Sequence, residues 1–208
     1  MSDIKVFKKS FTTPAVRAVF PQITKPHEKY GYSIDVDLFD NPELATAIEQ
    51  QAKDVLAAAQ ASIGTDAVPT NALFRKGEFQ KGDRKGEPFF RASFKMKAER
   101  MVKGATVAQR PRVVDSHRNP VTEHVFGGSK VKIAYNIQFT LMPTGTYLSL
   151  KLVAVQVLEH VGPGGEALIE DLFGEEDGFV SQGTSTDDAP SNTDNDDTSD
   201  GPVTGREF

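Results

Sequence analysis

Cysteine is absent from this chain of 208 residues, and the absence removes several kinds of chemistry at once. Disulfide bonds, cysteine-ligated zinc and thiol catalysis are all excluded. No apolar run approaches the roughly 20 residues that a membrane-spanning helix needs, since the best stretch, 148–158, contains Lys151 and Gln156. Residues 1–9 carry charges but no apolar segment, so we expect no signal peptide. These absences predict a soluble intracellular protein.

Positive charge is almost absent from the last 50 residues of the chain. Residues 159–208 contain fourteen Asp and Glu but a single basic residue, Arg206, which gives this segment a net charge of −13. Residues 1–158 have a net charge of +8, so the overall charge of −5 conceals the division. This division predicts a basic body that binds a polyanion, and an acidic segment that competes for the same surface or recruits a basic partner.

The acidic segment is also poor in the apolar residues that would allow it to fold. From 181 to 205 the chain is Ser, Thr, Asp, Asn, Gly and Pro with almost no apolar side chain, a composition that predicts disorder. The exception is the terminal Phe208, an apolar anchor that solubility alone does not require. We therefore predict a folded domain over residues 1–161 and a flexible acidic C-terminal tail over 162–208.

Alternating apolar and polar residues predict that the folded domain is mainly β. Residues 30–39 carry five apolar side chains at every second position, which is the period of a half-buried strand. Further strands are predicted over 16–23, 89–97, 106–114, 130–139 and 147–158. The last two form a hairpin, and the many Gly and Pro turns between strands indicate a sandwich or a small barrel.

One helix is predicted, over about 41–63. Pro42 belongs in a first helical turn, and Gly64 is a good C-terminal glycine. Between them, apolar residues recur every three or four positions and form one stripe. Residues 64–88 contain several Gly and Pro and are expected to form loops.

Basic residues are concentrated in the middle of the chain, where aromatic residues accompany them. Between Arg75 and Lys132 there are fifteen Lys and Arg but only six Asp and Glu. In the strand predicted over 89–97, the period of two places Phe89 beside three basic side chains on one outward face. Basic side chains follow the phosphates of single-stranded nucleic acid, and each exposed ring offers a base about 1–3 kcal/mol of stacking. The alternative is a solvated sheet face, with Phe89 turned into the core.

The candidate DNA-binding residues follow from this register and from the basic loop 75–85. They are Arg75, Lys76, Phe79, Lys81, Phe89, Arg91, Lys95, Lys97, Arg110, Arg112, Lys130, Lys132 and Tyr147.

Signals for catalysis are mostly absent. The sequence has no phosphate-binding loop and no nucleophile elbow. Asp115, His117 and His124 match no metal-ligand spacing, so we expect no metal, no cofactor and no catalytic residue. Two alternatives stay open: a metal-dependent nuclease that holds Mg²⁺ on the paired carboxylates Asp35 and Asp37, and a virion or scaffold interaction protein.

Four segments of the chain resemble the replication single-stranded DNA-binding proteins of short-tailed (podovirus-type) bacteriophages. The most specific is 127–133 with Tyr135, which is similar to the Gly-Gly-Ser-Lys strand of that family. The others are 113–116, 150–159 and the acidic run from Gly164 to Phe208. The likeness is good over residues 110–208, whereas the first hundred residues agree only in pattern.

The resemblance implies an oligonucleotide/oligosaccharide-binding (OB) fold, a mainly β structure in which an antiparallel barrel is capped by the helix. It implies a non-enzymatic protein of phage DNA replication and recombination that binds single-stranded DNA without sequence preference and promotes annealing. It also implies a tail that recruits the phage replication polymerase and helicase-primase, with Phe208 and Glu207 as partner contacts. The expected location is the cytoplasm of the infected bacterial host, and a homodimer and a monomer are both open. Arg206 and the dilute acid content depart from the tail of the family.

Overall fold

Eleven strands and one helix follow one another along the described part of the chain, which is residues 4–82, 84–102 and 104–162 of the computed structural model. In chain order they are β1 (Lys5–Thr12), β2 (Val16–Arg17), β3 (Val19–His27), β4 (Gly31–Asp37), α1 (Pro42–Ile63), β5 (Arg75–Glu78), β6 (Pro88–Met96), β7 (Glu99–Val102), β8 (Ala105–Ala108), β9 (Arg112–Val114), β10 (Lys130–Met142) and β11 (Gly145–Glu159). Among these described residues, no helix has the length and apolar character needed to span a membrane.

Nine of the strands form one sheet that curls until its ends meet. The strand order is β1-β10-β11-β6-β4-β3, and β5 and β9 pair with β6 and β11. The short β2 leads directly into β3, yet it pairs with β10, where Val16 lies opposite Val131. Hydrogen bonding therefore runs around a ring of β2/β3, β4, β6, β11 and β10, the five-stranded arrangement of an OB fold. The predicted OB-like β-barrel is confirmed, although the sheet is mixed because β11 runs parallel to β6 and to β9.

The helix α1 closes one side of the barrel. It spans Pro42–Ile63, as the sequence predicts, and its apolar stripe from Leu44 to Ala59 is buried. It packs against β10 and β1, and the Tyr135 hydroxyl donates a 2.6 Å hydrogen bond to Gln51 Oε1. Burial raises the pKa of Tyr135 to about 12. The helix ends at Gly64, whose φ of 70° favours glycine and whose N–H bonds to the Gln60 carbonyl.

The core fixes which side chains face outward. In β10 every second side chain from Val131 to Phe139 is buried, so Lys130, Lys132 and the alternate residues after them point to the outer surface. In β6, Ala92 and Phe94 fill the interior, and the residues that alternate with them face out. Both alternations agree with the sequence prediction.

The segment predicted as one strand over 106–114 is in fact two, and the prediction is wrong there. Residues 105–108 form β8, which pairs with β7 in a separate two-stranded sheet, whereas Arg112–Val114 joins β11. The break falls at Gln109–Pro111, because Pro111 has no N–H and Gln109 turns back to bond to Ala98 and Lys97.

Three strands were not expected from the sequence. The edge strand β1 is mostly exposed on both faces, so it lacks a clean alternation. The strand β5 lies within the segment expected to be loop, and all four of its residues are exposed. The third is β7, the partner of β8. The predicted tail, with Phe208 and Glu207, lies outside the described residues, and the boundary at 161/162 stays a prediction.

Candidate nucleic-acid interface

The outer face of β4, β5 and β6 gathers aromatic, basic and acidic side chains. Along β6 the outward residues are Phe89, Arg91, Ser93 and Lys95, one every ~6.6 Å. The strand partners continue this face, with Asp37 and Arg75 opposite Arg91 on the two neighbouring strands. One continuous surface therefore carries four of the predicted DNA-binding residues, Arg75, Phe89, Arg91 and Lys95.

Three phenylalanine rings surround Arg91. Its Cζ lies 5.0 Å from the ring centroids of Phe20 and Phe79 and 5.2 Å from that of Phe89. Asp37 completes the enclosure, with Oδ2 3.9 Å from Arg91 Nε, and only 6% of Arg91 is exposed. Each ring attracts the cation through its negative face. We call Arg91 with Phe20, Phe79 and Phe89 the Arg91 cluster.

The rings of the Arg91 cluster also hold one another in place. Phe79 and Phe89 meet edge to face with centroids 5.7 Å apart. The Phe89 ring lies against β5 at Gly77, where a Cβ atom would stand 2.9 Å from Phe89 Cζ. On the solvent side, Arg84 lies 4.5 Å from the Phe79 centroid and is hydrogen-bonded to Glu87, which raises the pKa of Arg84.

Sequence reasoning assigned no role to Phe20, which was part of a short predicted strand. In the structure it is 64% exposed and has a φ of 46°, a left-handed conformation that is rare for a bulky residue. The regular register between β3 and β4 is interrupted between Val19 and Gln22, so Phe20 lies in an irregularity of the sheet. The sequence contains no signal for this conformation, because a residue before a proline normally has an extended backbone.

A group of basic side chains lies further along the same outer face. Lys95 on β6 is the strand partner of Lys151 on β11, and Lys97 follows two residues later. Together with Arg100 on β7 they line a depression whose other side is formed by Asn136 on β10. Burial, and after it the charges of Lys97 and Lys95, lowers the pKa of Lys151. We call Lys95, Lys97 and Lys151 the lysine cluster.

A third basic group lies toward the C-terminal end of β11. Arg112, Arg118 and Lys132 border a shallow depression whose floor includes Ala134 and Ala154. Ala154 is the strand partner of both Arg112 and Ala134, so these residues form one row across the outer face. We call Arg112, Arg118 and Lys132 the distal basic patch.

The three groups follow one another in a single direction. β6 and then β9 run parallel to β11 along the same edge of that strand. The Arg91 cluster lies on the first part of β6, and the lysine cluster lies where β6 pairs with β11. The distal basic patch lies further along β11, where its partner is β9. At ~3.3 Å per residue this path covers about 35 Å of strand.

Five of the predicted DNA-binding residues lie apart from this path. Lys130 Nζ forms a 2.7 Å ion pair with Glu159. Lys76 is on the opposite face of β5, 4.6 Å from the Phe90 centroid. The other three are Lys81 in the turn before β6, Arg110 beside Pro111 and Pro120, and Tyr147 at the start of β11. Whether any candidate residue contacts DNA stays a prediction.

The two aspartates of the nuclease alternative both have basic partners. Asp35 Oδ2 lies 3.4 Å from Arg75 Nη1. Asp37 lies against Arg91, and its Oδ1 accepts the backbone N–H of Phe39 at 3.0 Å. These contacts give each carboxylate a structural role. Within the described ranges, no group of three His, Cys, Asp or Glu side chains is arranged to hold a metal ion.

The oxygens of the Asp115 carboxylate accept hydrogen bonds within a turn. The donors are the Asn119 side chain and the backbone N–H groups of Asn119 and His117, at 2.8–3.0 Å. The hydrogen bonds from Asn119 are the main reason why the pKa of Asp115 is lowered. Asp115 is therefore the polar centre of the turn that follows β9.

The fold and this outer face define an OB-type barrel with an aromatic–arginine cluster and two further basic groups along one path. Among solved structures, it is similar to the crystal structure of gp2.5, a single-stranded DNA-binding protein encoded by bacteriophage T7. The TM-score is 0.54, with 25% sequence identity over 84% of this chain and 100% of that chain. The predicted resemblance to the phage single-stranded DNA-binding proteins is thus confirmed at the level of structure.

Structures of a second phage protein share the fold. The single-stranded DNA-binding protein from bacteriophage Enc34, in complex with single-stranded DNA, matches with a TM-score of 0.53 and 18% identity over 75% of this chain and 89% of that chain. Another structure of the Enc34 protein matches with a TM-score of 0.50 and 15% identity over 79% and 90%. The sequence matches no protein-family model and no curated relative.

Proposed function

We propose that this protein binds single-stranded DNA without sequence preference, as a non-enzymatic protein of phage DNA replication and recombination that also promotes annealing. The observation that carries the proposal is the outer face of β6, where Phe89, Arg91 and Lys95 follow one another and lead to Lys151. In OB folds the face of the second and third barrel strands binds oligonucleotides, and here these strands are β4 and β6. The similarity to gp2.5 of phage T7 supports the same conclusion.

The two kinds of side chain along the path have different tasks. Exposed Lys and Arg release counterions when they neutralise phosphates, which supplies affinity that depends on salt but not on sequence. Aromatic rings add stacking, which every base can provide because every base has a π-face. The side chains named here offer both interactions without requiring a hydrogen bond to a particular base edge.

The acidic C-terminal segment acts, in this proposal, as a competitor for the basic face. Residues 160–208 have a net charge of −12 and follow directly on β11, the strand that carries Lys151. A tethered polyanion has an effective concentration in the millimolar range. DNA then displaces the tail, which becomes free to recruit the phage replication polymerase and helicase-primase through Phe208 and Glu207. The proposed location is the cytoplasm of the infected bacterial host.

The direct test is fluorescence anisotropy of a labelled oligo-dT with the full chain at a series of salt concentrations. If about four to six phosphates are neutralised, log affinity falls against log salt with a slope of about −3 to −4. A duplex of the same length is the competitor, and we expect it to compete weakly. No binding at low salt would refute the proposal, and Mg²⁺-dependent cleavage of the oligonucleotide that is lost in Asp35→Asn would replace it with the nuclease.

A further inference from the structure

Phe20 is the most exposed member of the Arg91 cluster and the one whose backbone is strained. Phe20 is 64% exposed, and its backbone φ of 46° is unfavourable for any residue with a Cβ atom. Such a conformation persists only where the surrounding structure holds it, and these conformations concentrate at binding sites. Here the surroundings include the buried Pro21 and the Arg91 guanidinium, 5.0 Å from the ring centroid.

Arg91 is poorly placed to meet a phosphate. Only 6% of it is exposed, because three rings and Asp37 cover it. Its Nε is buried and has no hydrogen-bond partner among the described residues, and the nearby carboxylate of Asp37 is 3.9 Å away. A guanidinium in this position interacts mainly with the faces of the rings around it. The Arg91 guanidinium therefore lies on the protein side of the rings, and the solvent lies on their other side.

We propose that Phe20 is a stacking platform for a nucleobase of single-stranded DNA and that Arg91 is a positioning residue behind it. This inference rests on the proposed function and adds a binding residue to it. Arg91 holds the Phe20 ring from the protein side, which leaves the exposed part of the ring free for a base. The strained backbone of Phe20 then has a physical purpose, since it directs a large apolar ring outward beside the row of basic side chains.

The chain contains no tryptophan, so a single Phe20→Trp substitution gives an unambiguous fluorescent reporter. We expect oligo-dT to quench this tryptophan as a base stacks on it. The matched control is Phe39→Trp, because Phe39 is also exposed (58%) and also packs against another ring, 5.9 Å from Phe90. Phe90 is on the opposite face of β6 from Phe89 and Arg91, so we expect the control tryptophan to keep its fluorescence.

Affinity measurements separate stacking from charge. Phe20→Ala is expected to weaken oligo-dT binding about tenfold and to leave the slope of log affinity against log salt unchanged, because no phosphate contact is removed. Phe20→Trp is expected to retain the affinity. Arg91→Gln is expected to reduce the quenching of the Phe20→Trp reporter while the salt slope stays the same. A phosphate contact through Arg91 would instead reduce that slope by about 0.7.

The outcomes distinguish this inference from the function on which it rests. Equal quenching of the two reporters, or an unquenched Phe20→Trp protein that still binds oligo-dT, would overturn the platform and leave the function intact. A reduced salt slope in Arg91→Gln would overturn the positioning role. If no protein binds oligo-dT, the proposed function itself fails. Thermal unfolding of each variant shows whether it is folded, and the Phe20→Trp reporter keeps the test open should Phe20→Ala fail to fold.

Discussion

Lys95 and Lys151 lie opposite each other on the parallel strands β6 and β11, with both side chains on the outer face of the barrel. Like charges at directly opposed positions of a sheet destabilise it. Burial lowers the pKa of Lys151, and the charges of Lys97 and Lys95 lower it further. The lysine cluster therefore reduces the stability of the free protein, and a phosphate backbone laid across it would relieve the repulsion.

The first prediction concerns stability and Lys151. The pKa of Lys151 is lower in the folded chain than its ordinary value of 10.5, so the charged form opposes folding. The penalty is present at neutral pH, begins to fall as the pH rises through the folded pKa, and is gone above the unfolded pKa of 10.5. Lys151→Met should raise the Tm at pH 7, by about 2–4 °C for each ~1 kcal/mol gained, and the gain should shrink toward pH 10.5. Thermal unfolding followed by circular dichroism at both pH values measures it.

The same Lys151→Met variant should bind oligo-dT more weakly, with a salt slope reduced by about 0.7. Lys53→Met is the control for the stability measurement, because Lys53 is an exposed lysine on α1, away from the lysine cluster. A Lys151→Met protein that is less stable than the parent at neutral pH would contradict the repulsion argument.

The second prediction concerns Gly77, over which the Phe89 ring lies. An alanine Cβ there would stand 2.9 Å from Phe89 Cζ, so the ring must move away. Gly77→Ala should weaken oligo-dT binding severalfold without changing the salt slope, since the Arg91 cluster is disturbed and no cation is lost. Gly162→Ala is the matched control, because no atom of residues 4–82, 84–102 or 104–160 lies within 4 Å of its added Cβ. Equal affinities of the two variants would mean that the Phe89 ring has no part in binding.

The third prediction separates the basic residues along the path from one that lies apart. Arg112→Gln combined with Lys132→Gln removes two cations of the distal basic patch and should reduce the salt slope by about 1.4. Lys130→Gln removes a lysine from the same strand as Lys132, but Lys130 is already paired with Glu159 at 2.7 Å. We expect little change in that control. Anisotropy titrations at four salt concentrations measure all three slopes, and a larger effect of Lys130→Gln would reverse the assignment.

The fourth prediction concerns the acidic tail. A chain that ends at Gly162 should bind oligo-dT more tightly than the full chain, because it lacks the tethered polyanion. The matched variant is Phe208→Ala, which keeps every acidic residue. We expect it to leave DNA affinity unchanged while reducing association with the phage replication polymerase in a pull-down. An unchanged or weaker affinity of the truncated chain would exclude competition, and an undiminished pull-down would leave Phe208 without a role.

The sequence predicted those parts of the interface that depend on local periodicity. A period of two placed Lys95 and Lys132 on the outer face, because a strand with one buried side leaves its alternate residues no other position. The helix could be predicted equally well, since Pro42, Gly64 and the apolar stripe between them are all local signals. These features needed no knowledge of which segments come together.

The parts that were missed depend on contacts between distant segments. Arg91 is buried by contacts with Phe20, near the start of β3, and with Phe79, directly after β5. Because both residues are distant from Arg91 in the chain, no local sequence pattern predicts its burial. The pairing of Lys130 with Glu159 likewise follows from the register of β10 and β11. The strand predicted over 106–114 failed because the two-stranded sheet of β7 and β8 interrupts the barrel there.

The seam of the barrel joins Val16 to Val131, two residues 115 positions apart in the chain. Ribosomes add about 5–20 residues each second, so the first strand of the ring waits about 6–23 s for the partner that completes it. During that interval β3, β4 and β6 are free to pair with one another, but the ring stays open because β10 and β11 are still missing. Production of this protein in a host cell is therefore most vulnerable to premature self-association on the nascent chain, before β10 has left the exit tunnel.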